Sequence, residues 1–163
     1  MEIEKKFLVN IMPEDLESYP CHRIEQGYLC VDPVVRIRQS DDRYILTYKS
    51  RMGDGEESGG DVRVNQEIEA ALGCSGYLHL REKVDGHLIT KSRYLISLED
   101  GHMAELDVFH GHLEGLVFVE VEFCDEQDAA RFVPPAWFGD NVSADHRYSN
   151  SFLSTCNGLE AFE

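Results

Sequence analysis

Residues 1–9 read MEIEKKFLV, Met1 to Val9. Drawn out as a strand, the stretch sends alternate side chains to opposite faces. One face carries Glu2, Glu4 and Lys6, and the other Ile3, Lys5 and Phe7. A half-buried strand turns its apolar side to the core and its charges to water, so the stretch taken alone is a solvated edge strand. Two carboxylates and an ammonium at i, i+2 and i+4 also suit a metal and an anion. The rest of the chain decides between these readings.

Strand patterns dominate it, near 2–9, 24–31, 34–39, 43–50, 61–69, 86–97, 103–110 and 116–123. Pro33, the pair Asp41-Asp42, and Asp-Gly turns at Asp85-Gly86 and Asp100-Gly101 separate several of them. Helices are predicted over roughly 70–81 and 125–132, the second with acids in its first turn. Residues 52–60, MGDGEESGG, carry four glycines without periodicity and read as a loop.

Six further strands share the inverted faces of the first. Arg36 and Arg38 lie on one side of VVRIRQ, and Thr47 and Lys49 on one side of LTYKS. RVNQEIE places Arg63, Asn65, Glu67 and Glu69 together, and ITKSRYLI places Lys91 with Arg93. Glu105 and Asp107 oppose Ala104, Leu106 and Val108. Glu120 and Glu122 oppose Val117, Val119, Val121 and Phe123. Lys6, Arg36, Arg38, Lys49, Arg63, Lys91 and Arg93 thus place seven of the fifteen basic residues on such faces. The opposite faces are continuous and β-branched and need cover. Closing the sheet with the charges inside meets both demands. The expected fold is α+β and mainly β: an eight-stranded antiparallel barrel, a tunnel with a charged interior and a few helices packed outside. Eight strands enclose room for one small ligand.

Unpaired buried charge costs several kcal/mol per ion, so such an interior needs a partner. Arginine and lysine suit phosphate oxygens, and closely spaced carboxylates suit Mg²⁺ or Mn²⁺. Both in one cavity point to a metal-bound polyphosphate. A formal net charge of −16 excludes a basic nucleic-acid footprint and disfavours anionic membrane. No apolar run reaches the length of a membrane span, and the acidic N-terminus is unlike a secretory signal. Five widely spaced cysteines without C-x-x-C fit reduced thiols in a cytoplasm.

The ordered set EIEKKFLV, QGYL, RIRQ, LTYKS, KSRYLI, ELDVFHG, LVFVEVEF, PPAWFG and DHRYSNSFL resembles the CYTH superfamily, the triphosphate tunnel metalloenzymes, and its short bacterial members most of all. Glu2-Ile3-Glu4-Lys5-Lys6 matches the E-x-E-x-K hallmark. The resemblance implies a single domain over 1–163 that binds triphosphate with divalent metal. It implies metal binding by Glu2, Glu4, Asp107, Glu120 and Glu122, with Glu67 preferred over the uncharged Asn65 in the fifth strand. It implies triphosphate binding by Lys6, Arg36, Arg38, Lys49, Arg63, Lys91 and Arg93, with Arg147 a further contact, and a catalytic pair of Tyr28 and Lys91. Within the family the short form favours hydrolysis of inorganic triphosphate, with nucleoside or thiamine triphosphate as other substrates. The alternatives are a class IV-type adenylyl cyclase making cyclic AMP and pyrophosphate, and a non-catalytic triphosphate- or nucleotide-binding module. Family habit also suggests a homodimer. His110 and His112 read as solvated loop residues, and Trp137 as an anchor on the barrel's outside.

Overall fold

The computed structural model describes residues 1–51 and 62–163, without the side chains of Arg51 and Arg63; the loop read at 52–60 lies outside the described residues. The described residues form nine strands: β1 (Glu2–Val9), β2 (Cys21–Val31), β3 (Val34–Ser40), β4 (Arg43–Arg51), β5 (Arg63–Leu72), β6 (Asp85–Ser97), β7 (Met103–Phe109), β8 (Val117–Glu122) and β9 (Phe138–Asn141). Three helices accompany them among the described residues: α1 (Cys74–Arg81), α2 (Glu126–Arg131) and α3 (Asn150–Leu153). Strands neighbour one another in the order β5-β4-β3-β2-β6-β7-β8-β1, and β1 pairs back to β5, so the first eight close a barrel in which every pairing is antiparallel. The expected fold is the observed one.

β1 is the closing stave and serves three partners in turn. Glu2–Glu4 pair with β5, Glu4–Phe7 with β8, and Phe7–Val9 with β9. β9 is absent from the sequence reading because four residues, FGDN, carry no period. The helix predicted from residue 70 begins at Cys74, since Ala70, Ala71 and Leu72 continue β5 against Leu46, Ile45 and Tyr44. Asp100-Gly101 is a hairpin turn with Gly101 at φ +93°. Asp85-Gly86 is not: it opens β6, where Asp85 pairs with Tyr28 across a register irregularity.

Two apolar clusters hold the barrel. One is the outer face of β1, β6, β7 and β8, with Ile3, Phe7, Leu106, Val119 and Val121 at most 3% exposed. The chain around α2 covers it through Ala129, Phe132, Trp137 and Phe138. Lys5 lies on this apolar face, yet its Nζ donates to the Ala129 carbonyl at 2.7 Å, within the last turn of α2, where the helix dipole favours a cation. The second cluster fills one end of the barrel. Tyr28, Ile89, Phe109 and Phe118 meet Leu113, Tyr148, Leu153, Leu159 and Phe162 from the later chain.

Candidate active site

The inward rows are charged over part of their length and apolar beyond it. Lys6 is followed at i+2 by Leu8, and Asp107 by Phe109; Arg36, Lys91 and Glu120 are preceded at i−2 by Val34, Ile89 and Phe118. The apolar ends are the ones gathered by the second cluster, whose residues after β7 and β9 form a plug at that end of the barrel. The barrel is therefore a cup, with a cavity of about 630 Å³ above an apolar floor.

Register sorts the charges in the cup. Glu4 faces Glu122 and Lys6 faces Glu120 across β1 and β8, while Glu105 faces Glu120 across β7 and β8. Lys49 faces Glu67 across β4 and β5. Acids thus concentrate on the β1, β5, β7 and β8 walls, and cations on the β3, β4 and β6 walls. Glu2, Glu4, Lys6, Arg36, Arg38, Lys49, Glu67, Arg93, Glu120 and Glu122 all line the cavity, as does Tyr28 at the edge of the floor. Ten of the expected binding residues are brought together.

Three expectations are placed otherwise. Lys91 is 1% exposed and lies behind the wall, its Nζ on Asp107 Oδ2 at 2.7 Å and Asn150 Oδ1 at 3.4 Å. Asp107 is fully buried beside it and gives its other oxygen to Arg93 Nε at 2.8 Å, so both oxygens are occupied and it does not suit a metal. Arg147 is outside the cavity, because Asp145 takes its guanidinium at 2.6 Å and the Ala161 carbonyl takes another donor. Arg63 is opposite Glu4 in β5, and its side chain lies outside the described residues. The sequence reading missed Glu69 and the triad Ser149, Asn150 and Ser151 as cavity residues. Glu69 was legible by alternation with Glu67; the three polar residues precede or open a single helical turn and have no period to betray them.

The carboxylates crowd one another. Burial, with Glu120 and Glu2 close by, pushes Glu4 well above the usual carboxylate range. Burial and a hydrogen bond with Glu67 raise Glu2, and burial with Glu2 and Glu105 nearby raises Glu122. Burial would also raise Glu120, but Lys6, a hydrogen bond from Glu4, and Arg93 hold it well below. A proton shared between close carboxylates is a charge that a cation can replace. Among the described residues no three acidic, histidine or cysteine side chains form a ready-made cation site. The acids come as pairs, and pairs suffice for Mg²⁺, which takes one or two carboxylates and completes its shell with phosphate oxygens and water. Glu2, Glu4, Glu67, Glu120 and Glu122 fit such an ion.

The cations are held firmly. Lys6 Nζ donates to the Tyr148 carbonyl at 2.6 Å and sits 4.2 Å from the Phe118 ring centroid. Lys49 Nζ meets Glu2 at 2.8 Å. Arg93 is gripped by Glu105 at 2.7 Å and by Asp107. Burial, opposed by Asp107 but aided by Arg93 and Arg38, pulls Lys91 down to about 7. Burial beside Arg36 and Arg93 pulls Arg38 down to about 9, which leaves it cationic at neutral pH.

A closed barrel whose inward side carries carboxylates on β1, β5, β7 and β8 and guanidinium and ammonium groups mainly on β3, β4 and β6, with Lys6 among the acids, defines a class of barrel built to bind an anion together with a cation. No family model matches the chain. It is 41% identical over 157 residues to an inorganic triphosphatase of Nitrosomonas europaea, covering 94% of this chain and 96% of that one. It is 37% identical over 155 residues to an inorganic triphosphatase of Acetivibrio thermocellus, covering 93% and 92%. A crystal structure of an inorganic triphosphatase superposes with a TM-score of 0.68 at 36% identity, over 96% of this chain and 95% of that one. The chain belongs to the CYTH superfamily of triphosphate tunnel enzymes.

Proposed function

We propose that the chain, taken as one catalytic unit over 1–163, is a metal-dependent inorganic triphosphatase. The observation that carries this is the two-sided cup, in which paired carboxylates face clustered cations across about 630 Å³. Its polar lining offers little for a base or thiazole ring, so the polyphosphate itself is the recognised group. The reaction adds water to triphosphate, breaks one phosphoanhydride bond, and gives pyrophosphate and phosphate.

A bound Mg²⁺ or Mn²⁺ would supply a Lewis acid that neutralises phosphate oxygens. Glu2, Glu4, Glu67, Glu120 and Glu122 would hold it. Lys6, Arg36, Arg38, Lys49 and Arg93 bind the phosphates in fixed positions and stabilise charge on the leaving pyrophosphate. By strand alternation in the sequence, Arg63 is proposed as a further phosphate-binding cation. Tyr28 stands at the cavity wall, and Lys91, drawn to about 7, lies behind the cavity-lining Asn150, so it is the group that can exchange a proton with the cavity once Asn150 moves aside. The apolar floor lowers the dielectric beside the charges, which strengthens their interactions. We assign the activity to the cytoplasm on the five free cysteines, with a homodimer the assembly that the family resemblance implies. No helix of the described residues is long and apolar enough to cross a membrane.

Replacing Glu4 or Glu122 with Gln should abolish metal-dependent phosphate release from triphosphate while circular dichroism stays that of the parent. Full activity in either variant would sink the metal assignment. With ATP as substrate, formation of cyclic AMP and pyrophosphate would instead identify a cyclase, and tight triphosphate binding without turnover would identify a binding module.

A further inference from the structure

The cations of the cup fall into two groups. Lys6, Lys49 and Arg93 each have a carboxylate within 4 Å, as does Lys91 behind the wall. Arg36 and Arg38 have none among the described residues, and both are anchored by neutral oxygens. Arg36 Nη2 donates to Thr47 Oγ1 at 3.3 Å, and Arg38 Nε donates to Gln26 Oε1 at 2.9 Å. Register makes both contacts direct, since Gln26 pairs with Arg38 and Arg36 with Thr47. Gln26 and Thr47 are each 0% exposed, so neither anchor serves solubility.

The orientation of the Gln26 amide follows from this contact. An arginine Nε is a donor only, so it must meet the amide oxygen. The Nε2 of Gln26 is then left buried without an acceptor, as is Arg36 Nε. An unmet buried donor is costly, and the same wall places two unspent guanidinium charges at the cavity. The β2–β3 wall is therefore rich in donors and poor in acceptors.

We propose that Gln26 is a positioning residue for substrate: it fixes the Arg38 guanidinium through a neutral acceptor, so that the full charge of Arg38 is kept for the phosphates. Thr47 does the same for Arg36. A glutamate at position 26 would hold Arg38 as well or better, and would cancel the charge. Geometry and charge are thereby separable by an isosteric change.

The inference rests on the triphosphatase reading, and the test keeps the two apart. Triphosphate binding is measured by calorimetry without divalent metal, beside phosphate release with Mg²⁺, for the parent, Gln26→Glu and Gln26→Met. The proposal expects Gln26→Glu to melt no lower than the parent and to bind triphosphate at least about tenfold more weakly, with KM raised more than kcat is lowered. It expects Gln26→Met, which lacks the acceptor, to weaken binding too. Parent-like binding and KM in Gln26→Glu would overturn the proposal while leaving the activity intact. A parent that neither binds nor cleaves triphosphate would overturn the functional reading and the proposal together.

Discussion

Lys91 is the residue we propose as the proton carrier, and alternation alone misjudges its depth. Ile89, Lys91 and Arg93 share the inward face of β6, yet Arg93 lines the cavity and Lys91 is sealed behind it by Asp107 and Asn150. Parity gives the face of a strand but not the height at which a neighbour closes over it. Burial that draws Lys91 to about 7 fits it to exchange a proton near neutrality. A base must be unprotonated, so kcat/KM for triphosphate should rise with pH through about 7 and level off above. In Lys91→Arg the guanidinium keeps the charge but cannot serve as a base at that pH. Activity should fall at least about a hundredfold and the limb should vanish. A Lys91→Arg enzyme with parent-like rate and pH profile would make Lys91 a plain electrostatic clamp. Glu4, Lys6, Arg36, Arg38 and Arg93 were legible because each sits at a period-two position in a long strand. Gln26 shares that period, but a neutral side chain gives no charge signal to follow.

Among the elements, the strands were readable and the plug was not. Their inverted faces recur over long runs, whereas the plug comes from turns after β7 and from the chain after β9, whose apolar residues follow no period. Its contact with the barrel explains the displaced Asp-Gly signal. Gly86 has φ +69°, and a Cβ there would strike the backbone oxygen of Ser154, which also accepts from His87 N at 2.7 Å. The glycine is thus demanded by close approach of the segment after α3 rather than by a hairpin. Gly86→Ala should destabilise the fold by about 2 kcal/mol or more, from the left-handed backbone and the collision together. Urea unfolding would show it as a lower midpoint, and an unchanged midpoint would mean that the plug does not press on β6 in solution. Since the chain leading into Ser154 carries Asn150 to Lys91 and Tyr148 to Lys6, its seating also sets the floor of the cup.

At the scale of the molecule, the net charge of −16 and the binding of a polyanion are reconciled by segregation. Apart from Lys6, which stands among the acids, the described cavity cations occupy the arc opposite the carboxylates, so the cup presents a cation-rich wall although the chain as a whole is acidic. That closure is legible in the sequence, because seven strands with same-face charge pairs and continuous β-branched opposite faces are most simply served by a closed sheet. MEIEKKFLV is accordingly a stave whose two faces serve different interiors: Ile3 and Phe7 pack in the outer core, while Glu2, Glu4 and Lys6 line the cup. The central claim is that this cup hydrolyses inorganic triphosphate. The measurement that tests it most directly is phosphate release by the purified chain from triphosphate, ATP, thiamine triphosphate and pyrophosphate, each with Mg²⁺, with Mn²⁺ and with a chelator. The account predicts rapid release from triphosphate with a divalent metal, much slower release from the other three, and none with the chelator. Release from triphosphate that persists undiminished in the chelator, or a clear preference for ATP, would contradict it.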